Sequence, residues 1–459
     1  ETDNTIINTF KYINELVADP NNPNKIYAAT NRGLMVTEDG GTSWAMPSSL
    51  QNTGKCKEVV ISNDGSIILT FITNKTYISV DHGASFSIVT QLPQVNDRCE
   101  YAIAPSDNNY MYCVAISSDT LKNVYQSTDK GSTWTIIHSH GEGFQPFRSG
   151  TNAQGNYDCT IAVYPNNKEK IIIGGIDLWR WEPGSSWQQI SYWIEYPYIY
   201  VHADQHNIIF HPNYDGVNNK TIYFCNDGGL FRSTDGGDTF EDLNKNYITT
   251  QFYTIAFSSK GEVIGGTQDN GTQYINYLGN TSRHSIEVKG GDGGGCAISA
   301  LDSRVMFACS QWGNLSRTDD AVNNGVYAPV YDSYLQLKQQ IGSSAEPFVT
   351  QIALYENFND PLSEDSIMFI TEQAYNIGDV IEIPSLVYDR SIYYTLQSSD
   401  VTPDTMLNVG DTITVADHYQ AVLAVGLHGQ TWITRRPLDF RDNETRWYPI
   451  LDTSKYNFL

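Results

Sequence analysis

Four times along this chain the pattern Ser/Thr-x-Asp-x-Gly-x-Ser/Thr-aromatic recurs: TEDGGTSW at 37–44, SVDHGASF at 79–86, STDKGSTW at 127–134 and STDGGDTF at 233–240. A degenerate copy, RTDDAVNNG, begins at Arg317. The steps are 42 residues from Asp39 to Asp81 and 48 to Asp129; 106 to Asp235 and 84 to Asp319 are each close to two repeats. A period of this length, made of short strands, is the signature of four-stranded propeller blades. Each motif has a turn chemistry: Asp accepts backbone N–H bonds inside a tight turn, and Gly supplies a backbone conformation costly to other residues. The Trp or Phe that follows starts a strand and packs its ring between blades. Asp39, Asp81, Asp129 and Asp235 are therefore structural.

The first unit, YINELVADP, KIYAAT, GLMVTED and TSWAMP, gives four short strands with turns at Asn21-Asn22-Pro23 and Asn31-Arg32-Gly33. This template places blades near 10–47, 55–91, 99–138, 157–190, 205–243, 252–288, 293–332 and 346–451. The fold class is thus an all-β, eight-bladed propeller, with seven blades as the alternative, in a single domain over 1–459. The last blade carries a strand-rich insert at 357–418 (SIMFITE, DVIEIP, SIYYTLQ, DTITVAD). Length alone, 459 residues, suggests two or three domains, but repeats extend one domain past that limit. Thirty Tyr, 17 Phe, 9 Trp and 36 Gly with only 17% charged residues fit the all-β reading.

The net charge of −24 repels nucleic acid and anionic membranes and favours cations and basic partners. No apolar run approaches the ~20 residues of a membrane helix. The start at Glu1 reads as a mature or trimmed chain, compatible with a removed signal peptide. Seven dispersed cysteines, several in apolar strand-like runs, read as buried thiols, with a disulfide left open.

The repeated motifs resemble the Asp boxes (BNR repeats) of the propeller superfamily of sialidases, xyloglucanase-type glycoside hydrolases, sortilin-type receptors and photosystem assembly factors. HADQHNIIFHP (202–212), NDGGLFRSTDGG (226–237), TTQFYTIAFS (249–258), GGTQDNGTQY (265–274) and GGDGG (290–294) are similar to bacterial secreted proteins labelled "glycosyl hydrolase, BNR repeat". Many of these are cargo of type IX secretion. The resemblance implies a fold and a secreted or cell-surface location. The chain departs from the characterised members. Three carboxylate-gripping arginines of sialidases are not evident, the two-propeller site of xyloglucanases is supplied only in part, a sortilin-type Cys-rich module is absent, and the basic face of the assembly factors is replaced by acidity.

In propeller topology the motif turns join third and fourth strands, so binding residues are sought on the other face. His202, Asp204 and His206 alternate along an extended segment, which would turn them to one side. They could hold a metal through two imidazoles and a carboxylate, or Asp204 could orient the histidines to pin a loop; three candidate ligands favour the second. Asp227, Asp269 and Asp292 fall in glycine-flanked turns of three successive blades. With Asp204 they form the candidate catalytic carboxylates, or a calcium or other divalent cation site, although no cofactor is required. The loop SYWIEYPYIY (191–200) supplies Tyr192, Trp193, Tyr196, Tyr198 and Tyr200, and Trp312 and His428 sit in matching turns of the last two blades. These seven are the ligand-binding candidates, by sugar stacking or protein contact. The glycine-rich loop 140–156 reads as mobile. From this follows the expectation of a non-catalytic binding, adhesion or assembly module for a glycan or cell-surface protein, within a larger surface assembly in one version. A glycoside hydrolase is the alternative.

Overall fold

Short β-branched and aromatic runs punctuated by Asn, Asp and Gly turns give antiparallel meanders throughout. The computed structural model describes residues 9–95, 97–139, 143–150, 152–194, 199–244, 250–275, 285–319, 347–387, 390–401, 405–440 and 446–452. The chain divides into two compact units, Glu1–Ile248 and Thr249–Leu459.

Among the described residues the first unit holds five sheets of three or four strands in chain order, besides one two-stranded pair. The first comprises Ile13–Asp19, Asn22–Thr30 and Gly33–Thr37, extended by a bridge from Val36 to Ala45. The second runs Cys56–Ile61, Ile68–Ile72, Lys75–Ser79 and Ser87–Ile88, and the third Arg98–Ile103, Met111–Ser117, Thr120–Ser127 and Thr135–Ser139. The fourth is Thr160–Val163, Ile171–Gly174, Leu178–Trp181 and Gln188–Gln189; the fifth is Gln205–Phe210, Ile222–Asn226, Gly229–Ser233 and Glu241–Asp242. The first strands of successive sheets lie side by side, as inner strands of propeller blades do. Each neighbouring pair of sheets closes over its own apolar cluster, for example Tyr27, Ile68 and Phe86 between the first two.

All four Asp motifs join third to fourth strands and share one bond set. Asp39 accepts from the Ser43 amide at 2.9 Å and hydroxyl at 2.6 Å and from the Thr37 hydroxyl at 2.7 Å. Asp81, Asp129 and Asp235 repeat this with Ser85, Thr133 and Thr239. Hydrogen bonds to its charged form, first from the Ser43 side chain, lower the Asp39 carboxyl to about 2. At Gly83, with φ of +83°, an added Cβ would lie 2.3 Å from the Tyr27 hydroxyl, so the turn can approach the first sheet only without a side chain.

The second unit has a four-stranded sheet from Phe252–Phe257 to Ile286–Lys289 and a three-stranded sheet from Gly293–Ile298 to Asn314–Thr318. Its last sheet pairs Gln351–Asn357 with Gln420–Leu427, followed by Gln430–Thr434 and Tyr448–Asp452. Between the two paired strands the chain forms three two-stranded pairs over residues 366–416, packed around Ile381, Ile383, Leu407 and Val415. The cysteines are free, six buried and Cys225 half-buried.

Arg317, the residue that opens the degenerate copy, is fully buried. Its guanidinium donates to the carbonyls of Pro437 at 2.5 Å and Asp439 at 3.1 Å and lies over the Phe440 ring at 4.4 Å. Beyond Asp319 this copy lies outside the described residues. Arg317→Met removes the donors and strands the carbonyls, and should cost about 2 kcal/mol in denaturant unfolding. An unchanged midpoint would show that the carbonyls find other partners.

Candidate active site

Within the first unit, two kinds of loop meet at the end of the sheets opposite the Asp motifs: those entering a first strand and those joining second to third strands. In the fourth and fifth sheets these loops carry four aspartates. Asp158 lies two residues before Thr160–Val163, and Asp204 directly precedes Gln205–Phe210. Asp177 and Asp227 occupy the corresponding second-to-third-strand turns.

Gln154 ties the first pair together. Its amide donates to Asp158 Oδ2 at 3.2 Å and to Asp204 Oδ1. The Asp158 amide donates back to the Gln154 carbonyl at 3.1 Å. Asp158 is fully buried, and its Oδ1 has no partner among the described residues. Burial, then the charges of Asp204 and Asp227, pushes its carboxyl up to about 8. Asp204 is half-buried, and burial followed by the Asp227 charge raises it to about 6. Asp177, raised to about 6 chiefly by burial, accepts the Trp193 amide at 2.7 Å.

Asp227 is held differently. His206 Nε2 meets its Oδ1 at 2.6 Å and the Tyr157 hydroxyl donates to Oδ2 at 2.8 Å, while the Tyr157 and His206 rings pack edge to face. The site therefore sets Asp204, an acid that holds its proton to higher pH, beside Asp227, a carboxyl group fixed by two polar partners.

The expected alternation of His202, Asp204 and His206 is broken. Asp204 takes a left-handed φ of +65°, His206 turns to Asp227, and His202 Nδ1 sits 3.2 Å from the Ala203 carbonyl. Among the described residues no three His, Cys, Asp or Glu side chains converge as a metal set, His202, Asp204 and His206 included. Of the four candidate carboxylates, Asp204 and Asp227 belong to the first unit and Asp269 and Asp292 to the second, where the Asp269 amide donates to Asp292 Oδ1 at 3.0 Å.

Of the aromatic candidates, Trp193 is exposed beside Asp177, Tyr192 bridges to Tyr200, and Tyr200 packs against Phe231 at 6.0 Å. Tyr196 and Tyr198 lie outside the described residues. Trp312, 59% exposed, and His428 occupy matching turns of the second unit, Trp312 against Phe348 at 5.2 Å. Within the described part of the loop read as mobile, Phe144 and Phe147 are buried to 1% exposure, and Arg148–Ser149 pairs with Asn152–Ala153. That anchoring delivers Gln154, Tyr157 and Asp158, the site residues that reading the sequence missed. Their signal was positional, since Asp158 stands before its first strand much as Asp204 does. A separate buried group on the inner strands, Glu58, Glu100 and Arg98, is closed by the 2.7 Å bond from Arg98 to Glu100. Burial raises both glutamates, and neither has the exposure a substrate contact needs.

No protein-family model matches the chain. It is similar to a xyloglucanase of a Paenibacillus species, 25% identical over 238 residues that make up 49% of this chain and 20% of the relative. It is also similar to xyloglucanase Xgh74A of Acetivibrio thermocellus, 27% identical over 241 residues, 41% of this chain and 27% of the relative. The chain thus spans about a fifth to a quarter of the length of the curated relatives it matches. Among solved structures, the GH74 enzyme of Niastella koreensis aligns with 96% of this chain and 69% of its own at 15% identity and a TM-score of 0.33. YCF48 bound to D1 peptide aligns with 64% of this chain and 89% of its own at 15% identity and a TM-score of 0.36. Likeness this loose between structures adds no argument. The curated relatives overturn the expected non-catalytic binding, adhesion or assembly module, because the proteins that share sequence with this chain are named as enzymes that cleave a glycan.

Proposed function

We propose that the protein is a glycoside hydrolase acting on a β-glucan of the xyloglucan type, with Asp204 as general acid and Asp227 as the second carboxylate. The observation that carries this reading is the pair itself: Asp204, raised to about 6, beside Asp227, which Tyr157 and His206 hold in place. The similarity to xyloglucanases supports the substrate class.

Asp204 protonates the glycosidic oxygen as the bond to the anomeric carbon breaks, and a water that gives its proton to Asp227 adds to that carbon. The His206 and Tyr157 contacts set the Asp227 rotamer. Asp158 touches no substrate, being buried; through Gln154 it positions Asp204. The exposed face of Trp193 is suited to stack on a sugar ring next to this cluster. In this reading the eight sheets are blades of a propeller. The enzyme works outside the cell, where its polymeric substrate is met, and the export route implied by the resemblance is type IX secretion. Among the described residues no helix is long and apolar enough to cross a membrane. Reducing-sugar release from xyloglucan by the wild type, and its loss in Asp204→Asn and Asp227→Asn, is the test; a wild type that releases nothing from any β-glucan overturns the proposal.

A further inference from the structure

The fourth sheet keeps the shape of the Asp motif but not its chemistry. In RWEPGSSW (180–187) Glu182 stands at the Asp position, Pro183 follows it, and Trp187 takes the place held by Trp44 and Trp134 in intact copies. In those copies the indole N–H is satisfied within its own turn. Trp44 Nε1 donates to the Gly41 carbonyl and Trp134 Nε1 to the Gly131 carbonyl, both at 3.1 Å. In the altered copy the Ser185 hydroxyl and amide close the turn on the Glu182 carbonyl at 2.7 and 3.1 Å. Trp187 Nε1 is buried with no partner among the described residues.

The ring has gone elsewhere. Trp187 stacks on Phe144 at 3.9 Å and 6° and lies 5.9 Å from Trp181 at 27°. Trp179 and Trp181, two apart on one strand, face the same side, and Trp179 meets the edge of Phe144 at 5.1 Å. Together with His138 and Ser186 these rings line an open cavity of about 360 Å³. The rings pack against the core cluster that holds Phe144, and the Trp187 N–H is itself out of solvent reach, so what the open cavity presents is indole faces with the Ser185 and Ser186 side chains beside them. Flat indole faces beside hydroxyl groups suit one chemistry in particular, the pyranose ring, which presents C–H faces to stack and hydroxyls to bond the serines.

We infer that this cleft is a second sugar-binding site, taking a β-linked glucan chain apart from the reacting carboxylates. It lies at the Trp181 end of the strand Leu178–Trp181, whereas Asp177 precedes the other end, so the strand separates them by roughly 10 Å or more. The choice of β-glucan rests on the hydrolase reading; the cleft itself does not. Its role is to hold a neighbouring stretch of polymer against the enzyme.

The probe is cellohexaose, titrated into the Asp204→Asn chain so that it is not consumed, with tryptophan fluorescence as readout. Ser186→Ala deletes a hydroxyl at the cavity and should weaken binding by about tenfold. Trp181→Ala removes a stacking face and should weaken it by at least as much. Thermal unfolding of each variant checks that it is folded, and Ser186→Ala serves alone if Trp181→Ala is not. Binding that persists unchanged in Ser186→Ala, or no binding by the Asp204→Asn chain, overturns the cleft. Xyloglucan hydrolysis by the wild type is scored separately. Hydrolysis without cleft binding leaves the hydrolase and removes the cleft, and cleft binding without hydrolysis does the reverse.

Discussion

Asp204→Asn lowers reducing-sugar release from xyloglucan by about 10²–10⁴-fold, the range that a positioned general acid supplies. The amide is the same size and can still face Gln154, so the variant folds and its thermal midpoint does not fall. What it lacks is a proton to give to the departing sugar. With the Asp204 carboxyl raised to about 6, the wild-type rate on the alkaline side should fall as pH rises through that value, because the acid works only while protonated. Asp227→Asn should lose as much activity, since it removes the other half of the pair. Release within threefold of wild type in Asp204→Asn would take the acid role from this residue.

Asp158→Asn stabilises the protein at neutral pH, by on the order of 3 kcal/mol. In the folded chain burial holds this carboxyl at about 8, while in the unfolded chain it ionises near its ordinary value of about 4. Between those values the unfolded chain has released a proton that the folded chain keeps. Folding is therefore favoured fully below about pH 4, and this contribution is lost as pH rises toward 8. Asparagine removes the ionisation and flattens that slope. Denaturant unfolding at pH 4 and pH 8 separates the cases: the variant gains at pH 8 and little at pH 4. An equal effect at both values would mean that the side chain acts through packing alone. Activity should fall less than in Asp204→Asn, because Asp158 works through Gln154 and not on the sugar.

Much of the architecture was legible because it repeats. An Asp accepting from a residue four further on, a Gly and an aromatic at fixed offsets are local requirements, and local requirements leave a pattern in sequence. The site was only half legible. Asp204 and Asp227 were visible as acidic residues near glycine and histidine, but Asp158 was not, since its importance comes from burial and from a glutamine four residues earlier. The expected alternation of His202, Asp204 and His206 failed for a backbone reason: alternation presumes extended residues, and Asp204 is left-handed.

Most sheets close by hairpins between neighbours in sequence, as where Ile103 pairs with Met111 across a short turn. Such sheets can form one after another as the chain is made. The last sheet cannot, because Asn357 pairs with Gln420 and the whole 358–419 segment intervenes. Left as a loose loop, that segment would add about 2 kcal/mol of closure entropy over a short hairpin. Its own paired strands shorten the effective span, so the inserted strands should acquire structure before the sheet that frames them. That sheet would then set the pace at which this unit matures.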